Sequence, residues 1–480
     1  MIFTSKIFVS FLLLLLGVFK TIPNNFRGYL LTIASIFFYA CWSLPFTTLL
    51  ITYSFIIFFF GQVIYKLKND KYFLFLILVS LFPLIFFKYR YFLLENINYL
   101  FSTNYDIAES IFLPLGISFF TFQGISYLVD IKNKLIKPEK NFLIILLFIS
   151  FFPQLIAGPI EKAKRLIPQL KKLFSYKKVN ITKSDIKFAI FLIVLGFFKK
   201  LVIADNIGLL SDFLFFNFDK LNFATATLLM FSFSFQIYFD FSAYSQIARG
   251  VAKLFGIDLM INFNLPYLSS NIAEFWRKWH ISLSNWFRDY VYIPLGGNRF
   301  GSINQFRNLL IVFFLCGLWH GANWLFIIWG FFHGFLYLIY YSYSFFIKKL
   351  GWDFSSNIFY KFTSVFLTFN AVSIGWIIFR SPDFDTLIQI LMSFQIFTNN
   401  MISVSIFGLL HDFLIHNGRS NFLLLYIYSF ILIYLLLGLL QTQLSSNLKK
   451  VFINHSYIPM IVIIYFFANQ ETKTFLYFQF

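Results

Sequence analysis

Long apolar runs separated by short polar breaks recur from one end of the chain to the other. Candidate helices fall at 7–19, 28–44, 46–65, 72–88, 111–130, 142–157, 187–204, 223–248, 308–328, 329–347, 358–379, 421–441 and 456–469. A helix crossing a hydrocarbon core needs ~20 apolar residues, and most of these runs approach that length. Residues 387–410 are apolar but interrupted, and read either as another span or as an interfacial stretch. The pattern predicts an all-α, polytopic membrane bundle of about 11–13 helices, with 1–480 forming one integral-membrane domain. No small-residue cleavage site follows the run at 7–19, and another apolar run opens at Tyr29, so the first run reads as a retained helix.

The polar breaks carry positive charge. "YKLKNDK" (65–71), "KNKLIKPEK" (132–140) and "EKAKRLIPQLKKLFSYKK" (161–178) all read as cytoplasmic, because loops rich in Lys and Arg stay on that side. The last two flank a single run, 142–157, which one full crossing would place on opposite sides of the membrane. That run ends in "FFPQLIAGPI", and Pro153, Gly158 and Pro159 interrupt a helix. Broken backbone at membrane depth persists only inside protein or beside water. Residues 142–160 are therefore expected to dip in and return. The polar stretch 161–185 is expected either to lie along the cytoplasmic surface or to form a solvated loop.

Composition narrows the class. The chain is 59% hydrophobic, 23% aromatic and 12% charged, which excludes an ordinary soluble domain. It carries 39 basic and 20 acidic residues, a formal charge of +19. In a soluble protein that excess would suggest nucleic acid. Here the basic residues sit between apolar runs, so topology and attraction to anionic lipid account for them, and no nucleic-acid partner is expected. Cys41 and Cys316 both lie in apolar runs and make neither a disulfide framework nor a zinc site.

Three polar insertions hold the candidate chemistry. In "FFLCGLWHGANWLFIIWG" (313–330), a helix over 308–328 would put His320 ~18 Å along its axis, near the bilayer centre. An ionisable residue there is a functional candidate. Gly317 and Gly321 bracket it at a spacing that lets a neighbouring helix approach. His333, in "GFFHG" (330–334), repeats the pattern and reads as a hydrogen bond between helices. "FWRKWHISLSNWFRDYVYIP" (275–294) cannot be a plain span, because Arg277, Lys278, His280, Arg288 and Asp289 would all need partners in lipid. Trp279, Ser282 and Trp286 fall near one helical face, and Arg277, Ser284 and Arg288 near another. The segment reads as an amphipathic or re-entrant helix lining a wet cavity, or as an interfacial anchor. In "QIYFDFSAYSQ" (236–246), Asp240 is a buried-carboxylate candidate that would fix a histidine tautomer or neutralise an arginine. His411, His416 and His455 fall in polar loops without metal-ligand spacing.

Seven segments make the chain recognisable: "SFFTFQGISYLVD" (118–130), "FFPQLIAGPI" (151–160), "FFKKLVIADNIG" (197–208), "QIYFDFSAYSQIA" (236–248), "FWRKWHISLSNWFRDYVYIPLGGNR" (275–299), "LWHGANWLFIIWGFFHG" (318–334) and the closing "FLYFQF" (475–480). Together they resemble the membrane-bound O-acyltransferase family, and within it the bacterial alginate O-acetylation branch. Where such relatives often read Asp-Phe-Ser-Gly-Tyr-Ser-Asp, this chain has Ala243 and Gln246.

The resemblance implies transfer of an acyl group from a cytoplasmic thioester donor, acetyl-CoA or another, onto a hydroxyl, with no bound cofactor and no metal. It implies His320 as the catalytic histidine and gives His280 the place of a second motif histidine or its Asn equivalent. Acyl transfer needs a base near the attacking oxygen and a donor near the forming oxyanion. His320 suits the base, and Asn323 or His280 the second role. Arg277 and Lys278 are placed to meet the phosphates of the donor. The candidate substrate-binding set is Arg277, Lys278, Trp279, Asn323 and Asp240. The implied architecture is a ring of helices around a central funnel, in the cytoplasmic membrane, with His320 at its narrowest part. The implied partners are a polysaccharide acceptor and an extracytoplasmic acetyltransferase. D-alanyl transfer to teichoic acid and a transporter remain the competing readings; the second lacks an inverted repeat of the 275–299 block.

Overall fold

A computed structural model describes residues 3–67, 69–103, 105, 112–156, 158–177, 179–354, 357–395, 428–429, 431–432, 435, 456–469 and 475–476. Among these residues every regular element is a helix. Among the described residues five helices are long and apolar enough to cross a membrane: Leu44–Lys66, Asp70–Phe101, Ser302–His320, Trp324–Lys349 and Ile358–Arg380. That is fewer than the 11–13 read from the sequence. Several runs fold as helices shorter than a ~20-residue span, and of the run at 421–441 only 428–429, 431–432 and 435 are described, all helical. His411, His416 and His455 also lie outside them.

The described backbone falls into two compact units. The first comprises Met1–Ile193, Tyr244–Ile261 and Asn285–Val291. In chain order it contains α1 (Lys6–Thr21), α2 (Arg27–Ala40), α3 (Leu44–Lys66), α4 (Asp70–Leu84), α5 (Arg90–Phe101), α6 (Ile117–Lys132), α7 (Phe142–Ser150), α8 (Phe152–Leu155) and α9 (Ala163–Leu173). Ser5 and Ser43 start α1 and α3 by accepting the backbone N–H groups of Phe8 and Phe46. A π turn over Ile85–Tyr89 joins α4 to α5, so the predicted helix at 72–88 runs on to Phe101.

The short helices of this unit bear on the 142–160 expectation. α7 has nine residues, Phe142–Ser150, or about 14 Å at 1.5 Å per residue, half a hydrocarbon core. It ends because Phe151 turns to ψ 106° and Pro153 has no N–H for the carbonyl one turn back. The backbone N–H of Phe152 donates instead to Ser35 Oγ on α2. A helix this short and then broken falls below the length of one crossing, in keeping with the expectation drawn from the flanking charges. Downstream, α9 is amphipathic: Ala163, Leu166, Ile167, Leu170 and Leu173 are buried, and Lys164, Lys171 and Lys172 are exposed. The 11 residues of α9 within the polar stretch thus form a surface helix, while 174–177 and 179–182 are not helical.

The second unit comprises Val194–Ala243, Asn262–Ser284 and Tyr292–Phe480. Two helices feed both units: α10 (Lys183–Phe197), which passes through a π turn over Phe198–Ala204 into α11 (Asp205–Phe216), and α12 (Phe223–Leu254). The second unit then holds α13 (Ile272–Lys278), α14 (Ile281–Phe287, whose end lies in the first unit), α15 (Ser302–His320), α16 (Trp324–Lys349), α17 (Ile358–Arg380), α18 (Phe384–Met392) and α19 (Tyr457–Phe467).

Helices α15 and α16 form a hairpin whose closeness is set by glycine. A Cβ at Gly317 would overlap the carbonyl of Phe326, and one at Gly330 the carbonyl of Phe313. The two backbones can approach only because both side chains are hydrogen. The partner of Gly317 is therefore Gly330 across the hairpin, not Gly321 along the same helix. Gly321 lies beyond the end of α15 in extended backbone.

Candidate functional site

Two breaks in the helices of the second unit each end on a histidine. At the first, α13 starts at Asn271, whose side chain caps the N–H of Glu274 at 2.8 Å, and stops after Lys278. His280 then takes φ 41°, the left-handed region that ordinary side chains avoid. It starts α14 as well: its Nδ1 accepts from the Leu283 N–H at 3.3 Å, and its carbonyl from the Ser284 N–H at 3.0 Å. A nitrogen that accepts cannot carry the ring proton, so neutral His280 holds its proton on Nε2 and presents a donor there. The residue is fully buried. Burial pushes the imidazole down to about 3, so it stays uncharged at neutral pH.

The predicted helix over 275–294 is therefore two short helices with an elbow between them. The predicted sorting of side chains survives the break. Trp279, Ser282 and Trp286 are buried; Arg277 and Arg288 are exposed and Ser284 is half-buried. Trp279 packs within rings, against Phe275, Phe263, Trp376 and Tyr238 at 4.7–6.3 Å between centroids. Lys278 gives its charge to Glu274 at 2.7 Å, and Glu274 also accepts from the N–H and hydroxyl of Ser270, each at 2.8 Å. Arg277 is exposed and makes no ion pair among the described residues.

The second break follows α15. His320 is the last residue of that helix, not its middle as the hydropathy pattern suggested. The apolar run continues past it, but Gly321 turns to extended backbone and Asn323 restarts the chain as the cap of α16, accepting from the Leu325 N–H at 2.8 Å. The cap occupies Asn323 Oδ1 and leaves the amide NH2 as the group able to donate. Three rings hold the His320 imidazole near right angles: Trp319 and Trp329 at 4.9 Å and Phe379 at 5.2 Å. Such edge-to-face contacts fix a ring's direction.

One indole joins the two breaks. Trp319 stands against His320 and also against His280, at 5.9 Å and 86°. Trp329 in turn lies between His320 and His333, 4.9 Å from each. His333 does not bridge helices by hydrogen bonds: neither ring nitrogen has a partner among the described residues, and Trp276, Trp329 and Phe332 surround the ring.

Asp240 is buried on α12 and pairs with Lys200 at 2.8 Å, a lysine rather than the arginine or histidine considered from sequence. Lys200 also pairs with Asp205 at 2.8 Å, and all three side chains are at most 4% exposed. Beside it, buried Lys199 donates to Ser242 Oγ at 3.3 Å. Both lysines stand in the π turn Phe198–Ala204; such turns are frequent at functional sites. The motif reading missed this cluster. Its signal was two adjacent lysines inside an apolar run, followed by Asp205 and Asn206. It likewise missed Trp319, Trp329 and Phe379, which look like ordinary apolar filling in a chain so rich in aromatics. Among the described residues no group of three His, Cys, Asp or Glu side chains is gathered for a metal ion.

Comparison with known proteins bears on the same segments. Residues 133–381 match the description "MBOAT, membrane-bound O-acyltransferase family". The chain is 36% identical over 429 residues to the peptidoglycan O-acetyltransferase of Helicobacter pylori, covering 80% of each chain. It is 36% identical over 394 residues to the probable alginate O-acetylase AlgI of Azotobacter vinelandii, covering 80% of this chain and 76% of that one. It is also 32% identical over 282 residues to the teichoic acid D-alanyltransferase of Bacillus subtilis, covering 56% of this chain and 69% of the relative.

Proposed function

Since the chain belongs to the membrane-bound O-acyltransferase family and is therefore a membrane enzyme that transfers acyl groups, we propose that it moves acetyl from a thioester donor to a hydroxyl during O-acetylation of a cell-envelope or exported polysaccharide, with His320 as general base. The reaction makes one C–O bond and breaks one C–S bond. His320 takes the proton from the attacking hydroxyl and returns it to the departing thiolate. The acyl oxygen carries the negative charge between these steps and needs a donor aimed at it. His280 suits that role, because its Nδ1 is occupied by the Leu283 N–H and its proton is on Nε2. The amide NH2 of Asn323 is the alternative donor.

The observation that carries this reading is the pairing of two differently committed imidazoles on either side of Trp319. One stands at the end of α15 among three ring edges, and to it we assign the base; the other has its accepting nitrogen already used. The donor thioester enters from the cytoplasmic side of the inner membrane, and Arg277 and Lys278 meet its phosphates. No resident cofactor is invoked. The hydroxyl that first receives acetyl belongs to the polysaccharide or to an extracytoplasmic acetyltransferase that relays it. The match to the peptidoglycan O-acetyltransferase of Helicobacter pylori covers 80% of each chain, which supports a peptidoglycan-type glycan as an acceptor to test.

Similarity to a teichoic acid D-alanyltransferase supports a second reading, in which the same site passes D-alanine. One experiment separates the two. Envelope polymers from cells lacking this protein, complemented with the parent chain or with His320→Ala, are treated with mild base, and released acetate and D-alanine are both quantified. Acetate lost with the deletion and restored only by the parent chain supports the proposal. Loss of D-alanine with acetate unchanged favours the second reading, and a His320→Ala chain that restores acetate removes the general-base assignment.

A further inference from the structure

The buried charges of the second unit hold a distant part of the chain that reaches one of the two histidines. Asp240 Oδ1 pairs with Lys200, and Asp240 Oδ2 accepts from the backbone N–H of Leu476 at 2.8 Å. Residues 475–476 are 236 positions away in sequence, and both are buried, Phe475 at 0% and Leu476 at 5% exposure. The same part of the chain is tied at two further points. Asn206 Nδ2 donates to the Phe467 carbonyl at 3.0 Å, and the Asn469 N–H donates to the Leu201 carbonyl at 3.1 Å. All these anchors come from the π turn and its neighbours, so "KKLVIADN" (199–206) works with Asp240 as one fastening.

What is fastened touches the site. Phe475 packs on Phe241 at 5.7 Å, and Phe241 meets the His280 ring edge-on at 4.7 Å. Phe241 follows Asp240 directly on α12, so one short piece of helix holds the downstream segment with one residue and the histidine with the next. A buried ion cluster is an expensive way to gain stability, since similar-sized apolar residues would pack as well or better. It is a good way to fix register, because each charge accepts only one arrangement of partners.

We propose that Lys200, Asp205 and Asp240 form a clasp that seats the 475–476 segment against Phe241 and thereby aligns the His280 ring. Lys200 and Asp240 are then positioning residues of the transfer reaction, which act through backbone and rings and do not touch substrate. Lys200 holds both carboxylates at fixed points; one of Asp240's oxygens is left to take the Leu476 N–H. This assigns Asp240 a role other than substrate binding. The clasp itself stands on geometry alone, and only its consequence for catalysis rests on the function proposed above.

The test reads the clasp and the chemistry separately. Leu476→Cys keeps the backbone N–H, and in a Cys41→Ser background it is a reporter for a maleimide, Cys316 being buried. In detergent-solubilised full-length protein the reporter should label slowly. Adding Asp240→Ala should speed labelling at least tenfold, whereas Asp240→Asn, whose amide oxygen still accepts the N–H, should change it less than threefold. Equal rates in all three overturn the proposal. Because Asp240→Ala could fail to fold, a second variant leaves the charges intact: Leu476→Pro removes the donating N–H, with Leu476→Ala as the control for the lost side chain. Its acetyl-transfer kcat should fall at least tenfold with the donor KM unchanged, while Leu476→Ala should lose less than threefold. If both variants transfer acetyl alike, the clasp does not position the site. Should the parent chain transfer no acetyl at all, the proposed function fails while the labelling arm still reports on the clasp.

Discussion

The two elbows of the second unit solve the same local problem by opposite means. Each stops one helix, starts another within four residues and leaves a histidine at the turn. The elbow at His280 is built from polarity: an asparagine cap, a Glu274–Lys278 pair, a left-handed φ and a histidine that is itself a cap. The elbow at His320 is built from smallness and rings. Gly317 and Gly330 let α15 and α16 close, Gly321 extends, and indoles and a phenyl fix the imidazole. A histidine needed as a cap cannot also be a freely accepting base. The base role is accordingly proposed for His320, which closes α15 among ring edges, and not for His280.

The largest effect should come from removing the ring-held imidazole. His320→Ala should lower acyl transfer by at least ~10³-fold, since general base catalysis alone is worth ~10²–10⁴. Its thermal midpoint should stay closer to the parent's than that of His280→Ala, because His320 ends α15 and starts no following helix, whereas His280 caps α14. His280→Ala should reverse this balance, with a smaller rate loss and a clear drop in stability. Transfer assays and thermal melts on the same preparations would check both, and equal rate losses would erase the distinction between the elbows.

Next in size is the glycine contact. Gly317→Leu would drive its side chain into the Phe326 backbone, where nothing flexible can yield. Overpacking of this kind costs about 1–3 kcal/mol, and parting α15 from α16 also moves Trp329 off His320. Loss of transfer by ~10²-fold together with a lower melting temperature is expected. Gly321→Leu should instead be read through its collision with the Phe326 ring, which can turn, so it should be the milder of the two.

How far these features were legible in the chain follows from the same contrast. Apolar periodicity located the helices well, because burial in lipid or protein is written in composition. The motifs carried His320 and His280, and the conflict between basic loops exposed the short α7. Hydropathy misplaced the end of α15, since the run 313–328 stays apolar through the turn. What stops that helix is a glycine and an asparagine cap, not a loss of hydrophobicity. Lys200, Asp205 and the Leu476 N–H that Asp240 accepts were hidden for another reason. Their partners lie 5, 40 and 236 positions apart in sequence, and only tertiary structure brings them together.

A smaller effect should test the strained cap. At φ 41° a left-handed residue costs about 1–2 kcal/mol unless it is Gly, Asn or Asp. His280→Asn should therefore fold at least as well as the parent, its side chain still able to cap α14. His280→Val should lose about 2 kcal/mol from strain and the missing cap. The pH dependence carries a sign. The folded imidazole is held near 3 by burial, whereas an unfolded one titrates near ~6.5. Between those values the unfolded chain binds more protons, so stability should fall as pH drops below ~6.5. Melting temperatures of parent and His280→Asn between pH 8 and 4.5 would show that slope lessened in the variant.

The smallest effect on stability should come from Lys278, and it is informative for that reason. Its pair with Glu274 is an i,i+4 ion pair with both side chains about a quarter exposed, a class worth only about 0.3–0.5 kcal/mol. Glu274 would keep the N–H and hydroxyl of Ser270 as partners if the lysine were gone. Lys278→Met should therefore leave the melting temperature nearly unchanged. If the cations of this elbow serve the donor's phosphates, the same variant should raise the KM for the acyl thioester severalfold at unaltered kcat, and more so at low salt, where charge attraction is least screened. An unchanged KM at low salt would mean that the polarity of this elbow shapes the turn and binds nothing.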